Sequence, residues 1–215
     1  MISSAVSAPA AAGVLRVGAM PSEDMSSFRA LPFVVEPRQP GQEPGEVFSD
    51  IDACVREHLD EAGALLFRGF NLQSAGAFKS FVSAFGDPLL NYEFGSTPRS
   101  ELAKGVYTST EYPAHQHIPL HNEQSYTRRW PLRIWFHCVL PAVDGGATPI
   151  ADSRRVYNKI DPVIRRRFIE KGLMYVRNSG NGLDVPWQQV FNTSERGQVE
   201  AYCRANQIAW DWKDD

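Results

Sequence analysis

Apolar positions along this chain change their period near residue 105. Before that point the spacing is helical. Phe48, Ile51, Val55 and Leu59 recur every three or four residues, predicting a helix over 48–61, with Gly63 placed to close it in a left-handed conformation. Ala64-Leu65-Leu66-Phe67 is an apolar run of strand length. A second helix fits 74–85, with Ser74 as its cap, Gly86 as its stop, and Phe78, Phe81, Val82 and Phe85 on its inner face.

Beyond residue 105 the pattern favours strands. Residues 106–110 (VYTST) are β-branched and aromatic. Residues 132–140 (LRIWFHCVL) form the strongest strand signal, apolar on both faces, as in the wall of a sandwich or barrel buried on both sides. Gly145-Gly146 turns the chain into 147–151. Asp161-Pro162 reads as an N-cap with proline at the first helical position, and Gly172 ends that helix. Ile164 and Phe168 are expected to face inward, and Arg165-Arg166-Arg167 to form a solvated face rather than an anion site. Residues 173–177 read as a strand, 194–206 as a helix, and 208–213 alternate like the start of another strand. No internal repeat occurs.

The opening residues are rich in Ala and Ser, lack a basic n-region and are interrupted by Pro9. Residues 1–30 therefore read as a flexible leader rather than an export signal. Pro37, Pro40, Gly41, Pro44 and Gly45 continue an irregular approach into a domain spanning 31–215.

Composition narrows the function. The 215 residues, 24.0 kDa, suffice for one domain with a sizeable core. Twenty-two basic against 25 acidic residues, a net charge of −3, supply no field for nucleic acid or anionic membrane, so neither is an expected partner. No stretch approaches the roughly 18 apolar residues of a membrane span. Cys54, Cys138 and Cys203 are far apart and form no C-x-x-C pair, so each reads as a small buried hydrophobe in a protein of the reducing cytoplasm.

Candidate chemistry concentrates in 113–126, PAHQHIPLHNEQSY. Three of the five histidines, His115, His117 and His121, lie there within seven positions. In extended chain, side chains two apart project to the same side, so His121 and Glu123 can aim at one centre. An imidazole and a carboxylate are two of the three ligands of the facial triad that binds non-haem Fe(II). Alone, H-x-E is weak, since such a triplet arises often and a loop histidine commonly has an ordinary packing role. A zinc hydrolase built on the same histidines lacks a general base or third ligand at suitable spacing.

The surrounding text is more specific. YTSTEYPAHQHIPLHNEQSYTRRWPLRIWFHCVLPAVDGGATPIADSRRVY, then MYVRN, preceded by GALLFRGF and FGDP and followed by PWQQVF and the region 200–204, resembles the taurine dioxygenase type of Fe(II)/2-oxoglutarate-dependent dioxygenase. The closest likeness is to its branch from peptide natural-product and amino-acid hydroxylation, and it covers nearly everything after residue 60. The resemblance implies an α+β, mainly β fold: a double-stranded β-helix (jelly roll, clavaminate synthase-like) with flanking helices. It implies Fe(II) as metal and 2-oxoglutarate as co-substrate, with hydroxylation of an unactivated C–H bond and release of succinate and CO2. The implied partners are O2 and an amino acid or related small molecule, free or tethered to a carrier protein.

By the same resemblance His121 and Glu123 stand at two metal-ligand positions. Thr148, 148 − 121 = 27 residues after the histidine, stands where a threonine hydroxyl bonds the 2-oxoglutarate carboxylate. Glutamate at 123, where halogenases of this fold have alanine or glycine, implies hydroxylation. His117 stands where the family often faces substrate, with loop packing as an equal reading. No catalytic residue beyond the metal site is implied. His58 reads as an exposed helical residue and His137 as part of a core strand.

The family's third ligand, a histidine far downstream, and the arginine beyond it that holds the distal carboxylate of 2-oxoglutarate have no counterpart after His137. The domain is thus expected to be incomplete, with its C-terminal strands missing. The chain then reads either as part of a longer enzyme or as a non-catalytic remnant or binding module. His115, His117 or His137 could stand in as the third ligand.

Overall fold

The computed structural model describes residues 14–19, 31–91, 99–111, 113, 115–180 and 186–213. The chain divides into two compact units, Met1–Asp87 with His137–Lys159, and Pro88–Phe136 with Ile160–Asp215.

In the first unit β1 (Leu15–Ala19) pairs antiparallel with β2 (Phe33–Pro37), and β2 pairs parallel with β3 (Leu65–Phe67). The stretch read as a leader thus contains a strand, registered Leu15 on Pro37 and Ala19 on Phe33. Between β2 and β3 runs α1 (Phe48–Ala62), the predicted helix to within a residue. Ile51, Cys54 and Val55 are buried at the spacing of one helix face, and Gly63, at φ 78°, donates its N–H to the Leu59 carbonyl. Next, α2 (Ala75–Ser83) begins where Ser74 accepts from the Ala77 N–H at 3.1 Å.

The core of this unit is Val47, Ile51 and Val55, with Leu15, Leu59, Leu65, Phe67, Phe70, Phe81 and Phe85 packed against it. Edge-to-face rings knit the two helices together: Phe48 meets Phe85 at 4.9 Å and Phe81 at 6.3 Å, while Phe67 meets Phe81 at 6.2 Å. Each such pair contributes about 0.5–1.5 kcal/mol beyond its buried area.

Helix α3 (Ser153–Lys159) belongs to the same unit, and Arg154 beside its start is the tie. Its guanidinium donates to the Asp60 and Glu61 carbonyls at 3.0 and 3.2 Å, satisfying acceptors that the last turn of α1 cannot pair internally. It also grips Asp152, whose carboxyl lies below its ordinary range because of Arg154's hydrogen bond. A depressed carboxyl contributes stability above its ordinary pKa and loses it as pH falls through the depressed value. Arg154→Ala is therefore expected to lower the melting temperature near neutral pH, by a margin that shrinks in acid, with faster amide exchange in the last turn of α1. Unchanged exchange there would refute the tie.

In the second unit β4 (Glu101–Ala103) and β5 (Val106–Tyr107) form an antiparallel hairpin turning through Gly105 at φ 79°. A Cβ on Gly105 would lie 2.8 Å from the Cβ of Leu89, so both conformation and space require glycine. Gly105→Ala is expected to cost at least about 1–2 kcal/mol, read as a lowered denaturation midpoint.

Helix α4 (Pro162–Lys171) starts as predicted, with Asp161 accepting from the Val163 N–H at 2.7 Å, and stops at Gly172. After α5 (Trp187–Val190) comes α6 (Arg196–Ala205), which buries Val199 and Cys203. The two late tryptophans are partnered locally. Trp212 donates to Glu200 at 3.0 Å, meets Trp187 edge to face and lies under the Arg196 guanidinium, while Arg204 covers Trp210.

Several expectations are corrected. Residues 132–140, 173–177 and 208–213 form no strand, and 106–110 shortens to β5. Leu132, Phe136 and Leu140 are 94%, 74% and 86% exposed, and Met174 is 85% exposed. Their composition suits a buried strand, yet a strand exists only when a neighbour supplies its hydrogen bonds, and no described segment does so. Ile164 and Phe168 are half-exposed rather than inward, Cys138 is exposed rather than buried, and burial pushes the Cys54 and Cys203 thiols up. The architecture is α+β with small sheets. Among the described residues helix outweighs strand, and no closed barrel or double-stranded β-helix forms. Among the described residues, no helix is long and apolar enough to cross a membrane.

Candidate metal centre

His121 and Glu123 lie in the second unit, where irregular chain reaches residue 122 and a turn begins at 123. That turn has a local cause. Gln124 adopts φ 51°, and its carbonyl accepts from both the N–H and the hydroxyl of Thr127. The Thr127 hydroxyl also reaches the Arg129 carbonyl at 2.7 Å, clamping the loop just past Glu123.

The two side chains meet. His121 Nε2 lies 3.8 Å from Glu123 Oε2. On its other edge the imidazole engages the Pro119 carbonyl through Nδ1 at 2.8 Å. A carbonyl only accepts, so Nδ1 is the donor in this contact, and Nε2 is the ring nitrogen nearer the glutamate. This is the outer hydrogen bond by which a ligating histidine is oriented and its tautomer set. Glu123 is the more enclosed of the two, its side chain 21% exposed against 58% for His121.

A third group borders the pair. Arg99 Nη2 lies 3.5 Å from Glu123 Oε1, while the histidine contact is to Oε2, and the Arg99 side chain is likewise 21% exposed. Arg99 lies 24 residues before Glu123, and nothing in the sequence pattern singled it out. Its only signal is position, one residue before a segment that anchors the β4–β5 hairpin: the Ser100 N–H donates to the Thr108 hydroxyl and the Thr108 N–H to the Ser100 carbonyl, both at 2.9 Å.

The other predicted positions are placed as follows. His115 and His117 are exposed on the same segment. Thr148 belongs to the first unit, exposed in extended chain after the Gly145-Gly146 turn, whose glycines adopt φ 64° and 69°. A Cβ on Gly146 would fall 2.5 Å from the Ala142 Cβ, so this turn needs its second glycine on steric grounds as well. His58 is not a free surface residue but packs on Phe33 at 5.0 Å, and His137 stacks on Phe78 at 5.1 Å rather than sitting in a strand.

The donor chemistry suits a divalent transition metal of the imidazole and carboxylate class, since the free Nε2 and Oε2 lie on one side within reach of a single ion. Among the described residues no group of three or more His, Cys, Asp or Glu side chains is assembled to hold a metal, so the centre is two-membered as described.

Comparison with known proteins bears on the same region. The taurine catabolism dioxygenase family (TauD, TfdA) matches residues 27–213. The dapdiamide synthesis protein DdaC of Enterobacter agglomerans is 43% identical over 161 residues, covering 75% of this chain and 49% of that protein. A clavaminate synthase-like protein of Arabidopsis thaliana is 35% identical over 166 residues, covering 73% of this chain and 50% of its own. The chain thus spans about half the length of the curated relatives it matches.

Proposed function

The chain belongs to the taurine catabolism dioxygenase TauD, TfdA family, and from that premise we propose an Fe(II)/2-oxoglutarate-dependent dioxygenase that hydroxylates an unactivated C–H bond of an amino acid or related small molecule. The substrate is free or held on a carrier protein, and succinate and CO2 are released. The observation that carries this reading is the convergence of His121 Nε2 and Glu123 Oε2, with Nδ1 already engaged by the Pro119 carbonyl. The link of one relative, by name, to dapdiamide synthesis supports a small-molecule biosynthetic role.

When bound, Fe(II) with 2-oxoglutarate and O2 supplies the oxidising chemistry. The chain's own part is to bind and orient. His121 offers Nε2 while its Nδ1 proton stays on the Pro119 carbonyl, and Glu123 offers a carboxylate oxygen. In this reading the Thr148 hydroxyl donates to the 2-oxoglutarate carboxylate, His117 contacts substrate, and the fold proposed for the whole protein is the family's jelly roll. No side chain is assigned an acid–base step.

Anaerobic addition of Fe(II) and then 2-oxoglutarate is expected to produce a weak visible charge-transfer band, and succinate is expected to form in air with a member of an amino-acid panel. A second reading is a non-catalytic remnant or binding module of that fold. It predicts neither band nor succinate from a folded protein.

A further inference from the structure

We propose that Arg99 is a positioning residue for Glu123: its guanidinium holds one carboxylate oxygen and leaves the other to face His121 as a one-oxygen metal donor. The inference rests on the reading of His121 and Glu123 as metal ligands. The two oxygens of Glu123 are distinguished by what they meet. Oε1 lies 3.5 Å from Arg99 Nη2, and Oε2 lies 3.8 Å from His121 Nε2.

Both sides of the contact are held in place. Arg99 directly precedes Ser100, which is bonded twice to Thr108 across the hairpin, and Glu123 opens the turn that Thr127 clamps. Both side chains are largely enclosed, so the attraction is screened less than in a surface pair. A carboxylate free to rotate can chelate an ion through both oxygens. Occupying Oε1 disfavours that mode and preserves an ion position for a second ligand. A fork of fixed N–H donors does this better than a flexible ammonium.

The test is an anaerobic Co(II) titration of the chain, read by the d–d absorption of the bound ion. Melting curves and circular dichroism are recorded on every variant. Arg99→Gln is expected to bind Co(II) about 10–100-fold more weakly than the parent, the range for residues that orient a ligand, while its melting temperature is unchanged. Arg99→Lys is expected to fall in between. A merely structural ion pair would instead move melting temperature and leave affinity alone.

A folded Arg99→Gln variant that binds as tightly as the parent overturns the proposal. Should Arg99→Gln fail to fold, an Arg99→Lys variant matching the parent overturns it. His121→Ala separates the two readings. If it loses binding and Arg99→Gln does not, only the role of Arg99 falls. If the parent binds no Co(II), or His121→Ala binds equally, the metal centre falls and the role of Arg99 with it.

Discussion

Replacing His121 with alanine is expected to abolish the Fe(II)/2-oxoglutarate absorption band and to weaken divalent-metal binding by more than about 100-fold, beyond the loss seen for residues that only orient a ligand. The magnitude follows from what is removed. The imidazole offers the pair's one nitrogen donor, and its orientation is already set, because Nδ1 bonds the Pro119 carbonyl and Nε2 lies 3.8 Å from Glu123 Oε2. Alanine takes away that donor and leaves a single carboxylate, too few donors to hold the ion tightly. The side chain is more than half exposed, so its removal leaves no cavity and the fold should melt as before. Equilibrium dialysis with Mn(II), together with the band, checks this. A His121→Ala variant that keeps parental metal affinity would remove the basis of the functional reading.

The second large effect is on stability. Ile51→Ala is expected to cost about 2–5 kcal/mol, a large part of the 5–15 kcal/mol typical of a whole domain. Ile51 is fully buried in a cluster with Val47 and Val55, against which Phe67, Phe70, Phe81 and Phe85 pack. Rings held edge to face at 4.9–6.3 Å cannot easily close over the lost volume, so a cavity remains. Ile51→Val, which removes one methylene, should cost only about 0.5–1.5 kcal/mol. Urea unfolding followed by far-UV circular dichroism measures both. A loss below about 1 kcal/mol for alanine would mean that the surroundings collapse onto the site, contrary to this packing.

Expectations succeeded or failed according to the range of the forces behind them. Helices α1, α2, α4 and α6 lie within one or two residues of their predicted spans, because their hydrogen bonds, caps and stops come from residues at most four apart. Ser74 and Asp161 cap as their side chains dictate, and Gly63 and Gly172 end helices at positive φ. The strand expectations depended on partners. Residues 65–67 found β2, but 132–140 found none, although apolar composition made it the stronger candidate.

For the site, the sequence expectation was that His121 and Glu123 share a side in extended chain; the structure brings them to 3.8 Å with Glu123 opening a turn instead. The surrounding motif text also carried the likeness to the family that matches residues 27–213. Tertiary structure decided what local pattern cannot encode: that Nδ1 engages the Pro119 carbonyl, that Glu123 Oε2 lies 3.8 Å from Nε2, and that Arg99, 24 residues away, lies 3.5 Å from Oε1. It likewise decided that His58 and His137 pack against phenylalanines. The physical reason is the same throughout. Periodicity and capping are set within a few bonds of a residue, whereas contacts between distant segments depend on where the chain places both of them.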